Sequence, residues 1–149
     1  MLGVADDKSI KRIDMAFNSR VSLFDLDKSR KMGPMAQGSP KDVPAMDIYM
    51  SPGGTNTDTG RKIPPTLWGS FEKLFEIDRG RWLGTTSVTV EDLGPEKAAE
   101  KLLANGTYWI AETREKRIYL LAIKAAKVET RFSGKQPGFM VTYRELKKQ

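Results

Sequence analysis

Pro64-Pro65-Thr66-Leu67-Trp68-Gly69-Ser70-Phe71-Glu72-Lys73-Leu74-Phe75-Glu76-Ile77 spaces Leu67, Trp68, Phe71, Leu74 and Phe75 along one helical face. Proline near the opening turn suits a helix start, where its missing N–H is no loss, and Asp78-Arg79-Gly80 supplies the stop. The spacing predicts a helix over about 65–77. A strand is expected next, from about Thr85 to Glu91, with Val88 and Val90 on one face. A second helix is expected over 95–104, with Asn105-Gly106 as a left-handed C-terminal stop.

Further along, Thr107-Tyr108-Trp109-Ile110-Ala111 and Arg117-Ile118-Tyr119-Leu120-Leu121-Ala122-Ile123 flank the charged turn Arg114-Glu115-Lys116 and read as a hairpin. The second of these runs is apolar on both faces, as a strand inside a sheet would be. Strands are also expected near Lys127–Phe132 and Phe139–Tyr143, separated by a turn over Ser133–Gly138. Upstream, Ile13, Met15 and Phe17 alternate with polar residues before Asn18-Ser19, and Val21 and Leu23 alternate after it. That pattern predicts a hairpin over 13–26, although Ile10, Ile13 and Phe17 also fit a helix. The expected fold is α+β: a largely antiparallel sheet with two helices packed on one face.

Between about 28 and 65 the chain changes character, with six of its eight prolines and four of its seven methionines. The expectation is one domain over 1–149 that carries 28–65 as an extended arm or long loop. Met32, Met35, Met46 and Met50 would give that arm adaptable apolar contacts to a partner.

The 149 residues include no cysteine and no histidine. Disulfides, thiolate nucleophiles, serine–histidine mechanisms and cysteine-based metal sites are therefore excluded. Any metal site would need oxygen ligands and a hard cation. Met1–Asp7 has neither the basic nor the apolar segment of a secretory signal, and no run approaches the ~20 apolar residues of a membrane span. A cytoplasmic protein with no membrane role is expected.

Three short motifs carry little chemistry. Gly54-Thr55-Asn56-Thr57-Asp58-Thr59-Gly60-Arg61-Lys62 resembles a phosphate loop superficially, but it has five residues between the glycines where four are required, and Pro64-Pro65 follows closely. Asp25-Leu26-Asp27-Lys28-Ser29 echoes the start of a calcium loop, yet Arg30 holds the position of the required glycine and Ala36 that of the bidentate acid. Glu112, Glu115 and Lys116 read as a solvated hairpin tip. No cofactor and no metal are expected. Trp68, Trp82 and Trp109 read most simply as core anchors, with Trp82, in Gly80-Arg81-Trp82-Leu83-Gly84, the readiest of the three to be exposed.

The net charge of +6 is unevenly placed: residues 114–149 hold ten Lys and Arg against three acids. Lys124, Lys127, Arg131, Lys135, Arg144, Lys147 and Lys148, interleaved with Tyr119 and Tyr143, predict a surface for an anionic partner. Nucleic acid is the expected partner of a non-enzymatic binding protein, with an acidic protein as the other anionic possibility. A second reading is a protein–protein component of phage or mobile-element type, an inhibitor or subunit of an oligomeric assembly that grips a neighbour with the 28–65 arm. A third is a metal-independent ribonuclease that draws on Arg117, Glu129, Arg131 and Tyr143.

Overall fold

A computed structural model describes residues 2–4, 10–16, 21–35, 47–51, 54–84, 87–88, 100–130 and 134–148. Its strands in chain order begin with β1 (Leu2–Val4), β2 (Lys11–Ala16), β3 (Val21–Asp25), β4 (Arg30–Met35) and β5 (Ile48–Ser51). They continue with β6 (Gly54–Thr55), β7 (Lys62–Ile63), β8 (Thr66–Gly69) and β9 (Lys73–Ile77). After the short helix α1 (Arg79–Gly84) come β10 (Ser87–Val88), β11 (Lys101–Leu102), β12 (Tyr108–Glu112), β13 (Ile118–Thr130) and β14 (Gly134–Lys148).

Two antiparallel sheets result. The first runs β10-β1-β14-β13-β12-β9, with β2 also paired to β14, and the second runs β11-β8-β5-β3-β4. The α+β expectation is thereby corrected to a nearly all-β architecture. Where a helix was expected over 65–77, β8 and β9 are strands of different sheets: β8 pairs with β5 and β11, and β9 with β12. Leu67 and Gly69 point inward from β8; the chain then changes sheets at Ser70–Glu72 and turns Phe71 and Leu74 inward as well. That crossover imitates a helical face, and long-range pairing overrides the local pattern. A Cβ at Gly69 would lie 2.9 Å from Phe71 Cε2, so glycine fits the tight approach at this crossing. Of the helix expected over 95–104, residues 95–99 lie outside the described residues, and Lys101–Leu102 is strand β11. Gly106 is left-handed at φ 80°, as Asn-Gly predicts, but it serves the turn leading into β12.

The hairpin of 107–123 is present as β12 and β13, paired from Tyr108↔Ala122 to Glu112↔Ile118. No turn follows Ile123: β13 continues to Thr130, and β14 returns from Gly134 in unbroken register. The hairpin expected over 13–26 does not form. β2 joins β14 in the first sheet, whereas β3 lies between β4 and β5 in the second. Within 28–65, the described residues include β4, β5 and the small β6–β7 hairpin.

Strand alternation sorts the core into two clusters. The larger lies between the sheets, with Ile13, Tyr119, Leu121, Ile123, Val141 and Tyr143 from one and Phe24, Leu26, Ile48, Met50, Leu67 and Leu103 from the other. The smaller covers the outer face of the first sheet, where Trp82 of α1 packs on Ile110, Ile118, Leu120 and Leu146. β13 is thus buried on both faces over its first half, which explains its apolar run.

Candidate functional site: the Leu26–Ser29 turn and the cleft beside it

Asp25 ends β3, and its Oδ1 accepts the backbone N–H groups of Asp27 at 3.0 Å and Lys28 at 3.4 Å. This carboxylate-stabilised turn is a standard use of aspartate. From β5's side, Asp47 Oδ2 accepts the Leu26 N–H at 2.7 Å. Pairing of Phe24 with Ile48 is what carries Asp47 to the turn from twenty residues away. The carboxylates of Asp25, Asp27 and Asp47 each offer an oxygen, and these lie within 4.8 Å of one another.

Asp27 ties this turn to the other sheet. Its Oδ1 accepts Tyr119 Oη at 3.1 Å and Thr113 Oγ1 at 3.2 Å, and Arg117 Nη1 donates to its carbonyl oxygen at 2.8 Å. Arg117 also grips Glu145 in a two-pronged pair at 2.9 and 2.8 Å. Glu145 therefore holds Arg117 more firmly cationic than usual. Burial pushes the Asp27 carboxyl and the Tyr119 phenol above their ordinary ranges, with the Asp27 charge adding to the effect on Tyr119. Asp47 is pushed up to about 8, chiefly by burial, with the charges of Asp27 and Asp25 adding and the Leu26 N–H and Arg114 opposing.

The turn closes at Ser29, whose φ of 48° lies in the left-handed region. A non-glycine residue there is uncommon and carries a cost of roughly 1–2 kcal/mol. Its hydroxyl is engaged, 3.0 Å from Tyr143 Oη and 3.4 Å from Lys11 Nζ. Beside these three groups an open cleft of about 530 Å³ lies between β2 and the turn, lined by Lys11, Arg12, Ile13, Phe24, Ser29 and Tyr143. Ile13 and Phe24 form its apolar floor, and the Phe24 ring meets Tyr143 edge-on at 5.8 Å. Cations and hydroxyls above an apolar base suit an amphipathic anion, in a space of the usual size for a small-molecule site.

Among the described residues, the basic side chains singled out in the sequence do not share one surface. Lys124 is exposed on the outer face of β13, whereas Lys127 and its neighbour Lys135 are exposed on the opposite face of the β13–β14 ribbon. Glu129 stands directly across from Lys135 and offsets its charge. Arg144 is 7% exposed and lies under Trp82, its guanidinium 4.6 Å from the ring and donating to the Trp82 carbonyl oxygen. Tyr119 and Tyr143, at 3% and 4% exposed, are core residues with no face open for stacking. Lys147 belongs to β14, and Arg131 lies outside the described residues. The nucleic-acid surface is therefore corrected: strand alternation divides its cations and burial removes its aromatics.

Met50 is fully buried in β5, Met32 and Met35 lie on β4, and Met46 falls outside the described residues. Trp82, the tryptophan readiest to be exposed, is a core anchor like Trp109, at 8% exposed. Residues 54–62 form the β6–β7 hairpin, closed by Asn56 N–H to the Arg61 carbonyl and Gly60 N–H to the Asn56 carbonyl, which is no phosphate loop. Arg117 immediately precedes β13 and Glu129 lies near its far end, about 40 Å away at the usual rise, so the ribonuclease set does not converge. Lys116 at the hairpin tip pairs with Glu72 and Glu112 at 3.5 and 3.7 Å. The cleft and the carboxylate cluster were not found by sequence reasoning; Asp25-x-Asp27 was the local trace, and Asp47 had none.

No helix among the described residues is long and apolar enough to cross a membrane. No protein-family model and no curated protein matches the chain. Among solved structures it is similar to a Bacteroides vulgatus protein described as HmuY-like and heme-binding, at 10% identity, 97% coverage of each chain and a TM-score of 0.39. So remote a likeness carries no functional argument, and it lends nothing to nucleic-acid binding or to a phage or mobile-element origin.

Proposed function

We propose that this is a non-enzymatic binding protein that takes a small amphipathic anion, a carboxylate or phosphate with an apolar tail, into the cleft beside Ser29. The observation that carries this reading is the convergence of Lys11 Nζ, Ser29 Oγ and Tyr143 Oη, within 3.0–3.4 Å of the shared serine oxygen, over Ile13 and Phe24. Lys11 supplies charge, whichever hydroxyl of the Ser29–Tyr143 pair accepts from the other donates to the anion's oxygens, and the apolar floor takes the tail. The left-handed Ser29 supports the reading, because strain of this kind clusters where a side chain is in use.

Calorimetric titration with decanoate and decyl phosphate, beside decanol and decyltrimethylammonium, tests it. Saturable binding of the two anions alone is expected. Lys11→Glu should weaken it at least tenfold, equivalent to about 1.4 kcal/mol, a modest loss for a charge-assisted contact. Ser29→Gly should also weaken binding while leaving stability within about 1 kcal/mol of wild type, since relief of the φ strain offsets the lost hydroxyl bond. Equal affinity in Lys11→Glu, or no saturable binding of either anion, would refute the reading.

A further inference from the structure

We infer that Asp25, Asp27 and Asp47 form a calcium site at the β3–β4 turn. Proximity of the three carboxylates alone would not carry this, because acidic clusters are common; the second observation is at Asp25. That residue is fully buried, its Oδ1 is committed to the Asp27 and Lys28 N–H groups, and its Oδ2 has no hydrogen-bond partner. A buried carboxylate oxygen without a donor is expensive and calls for a positive group beside it. Arg117 sits 3.8 Å from Asp27 Oδ1 and is already committed to Glu145. Arg114 acts on Asp47 by its charge and donates to Ser70, and neither arginine donates to Asp25 Oδ2.

Oxygen ligands with no histidine or cysteine call for a hard cation. Three protein carboxylates favour calcium, because magnesium keeps several of its waters and takes only one or two carboxylates. The three carboxylate oxygens lie within 4.8 Å of one another and fit one calcium shell, completed by water. Because Asp25 and Asp27 flank Leu26 and Asp47 joins from β5, the ion would lock the turn to both strands. It would also fix the position of Ser29 in the cleft. The inference does not depend on the cleft's ligand: Lys11→Glu should leave the calcium response intact.

The test uses chelator-treated full-length protein. Calcium at about 1 mM should raise the melting temperature by about 5–10 °C, as expected when it is present at about a hundred times its dissociation constant. Terbium should bind in its place and luminesce on excitation of Tyr119, whose hydroxyl lies 3.1 Å from Asp27 Oδ1, and calcium should quench that signal by displacement. Asp25→Asn combined with Asp47→Asn keeps the shapes and the backbone acceptors, and should abolish both the melting shift and the terbium signal. The inference is overturned if the wild type shows neither response up to 10 times that calcium concentration, or if the double variant responds as the wild type does.

Discussion

Chelator-treated protein should lose stability as the pH rises from 4 to 8, and Asp47→Asn should remove most of that loss. Asp47 is 2% exposed, and its carboxyl is pushed from 3.8 to about 8, first by burial and then by Asp27 and Asp25. The folded state therefore binds a proton that the unfolded chain releases at lower pH. For this group, stability is fully present below the unfolded value of 3.8, declines through the interval and is gone once the pH passes about 8. At 1.36 kcal/mol per unit the loss is on the order of 5 kcal/mol, comparable with the whole stability of a small domain. Asparagine stays neutral and can still accept the Leu26 N–H, so the variant should be the more stable protein at pH 8. Urea unfolding at several pH values measures this; parallel profiles for variant and wild type would show that Asp47 is not the source.

Trp82→Ala should destabilise the protein by about 3–5 kcal/mol. Trp82 joins Ile110, Ile118, Leu120 and Leu146 in the outer cluster, and its ring lies 5.9 Å from that of Tyr108. Removing it opens a cavity on the outer face and takes the aromatic face from the Arg144 guanidinium. Loss of a tryptophan on an exposed surface would cost within about 0.5 kcal/mol. Denaturant unfolding separates the two outcomes cleanly, because the slope should be unchanged while the midpoint falls.

What the sequence revealed was governed by how local each determinant is. The β12–β13 hairpin was legible because both strands and their turn are contiguous and Ile118–Ile123 is apolar on both faces. Residues 65–77 misled because two strands of different sheets, joined across Gly69–Phe71, produce helical spacing without a helix. Basic residues in the last third were visible, but their division between two faces depends on the register of β13 with β14. Arg144 reads as surface charge until Trp82 is placed over it. Of the candidate sites, only Asp25-x-Asp27 had a trace in the chain. Asp47 arrives through β3–β5 pairing, and Lys11 and Tyr143 reach Ser29 from separate strands. Such convergence has no signature in local spacing.

Amide chemical-shift mapping of isotope-labelled protein during titration with decanoate tests the cleft most directly. The account predicts saturable shifts centred on Lys11, Ile13, Phe24, Ser29 and Tyr143, with Lys124, Lys127 and Lys135 unmoved. Shifts confined to the β13–β14 ribbon, or none at saturation of the probe, would contradict it.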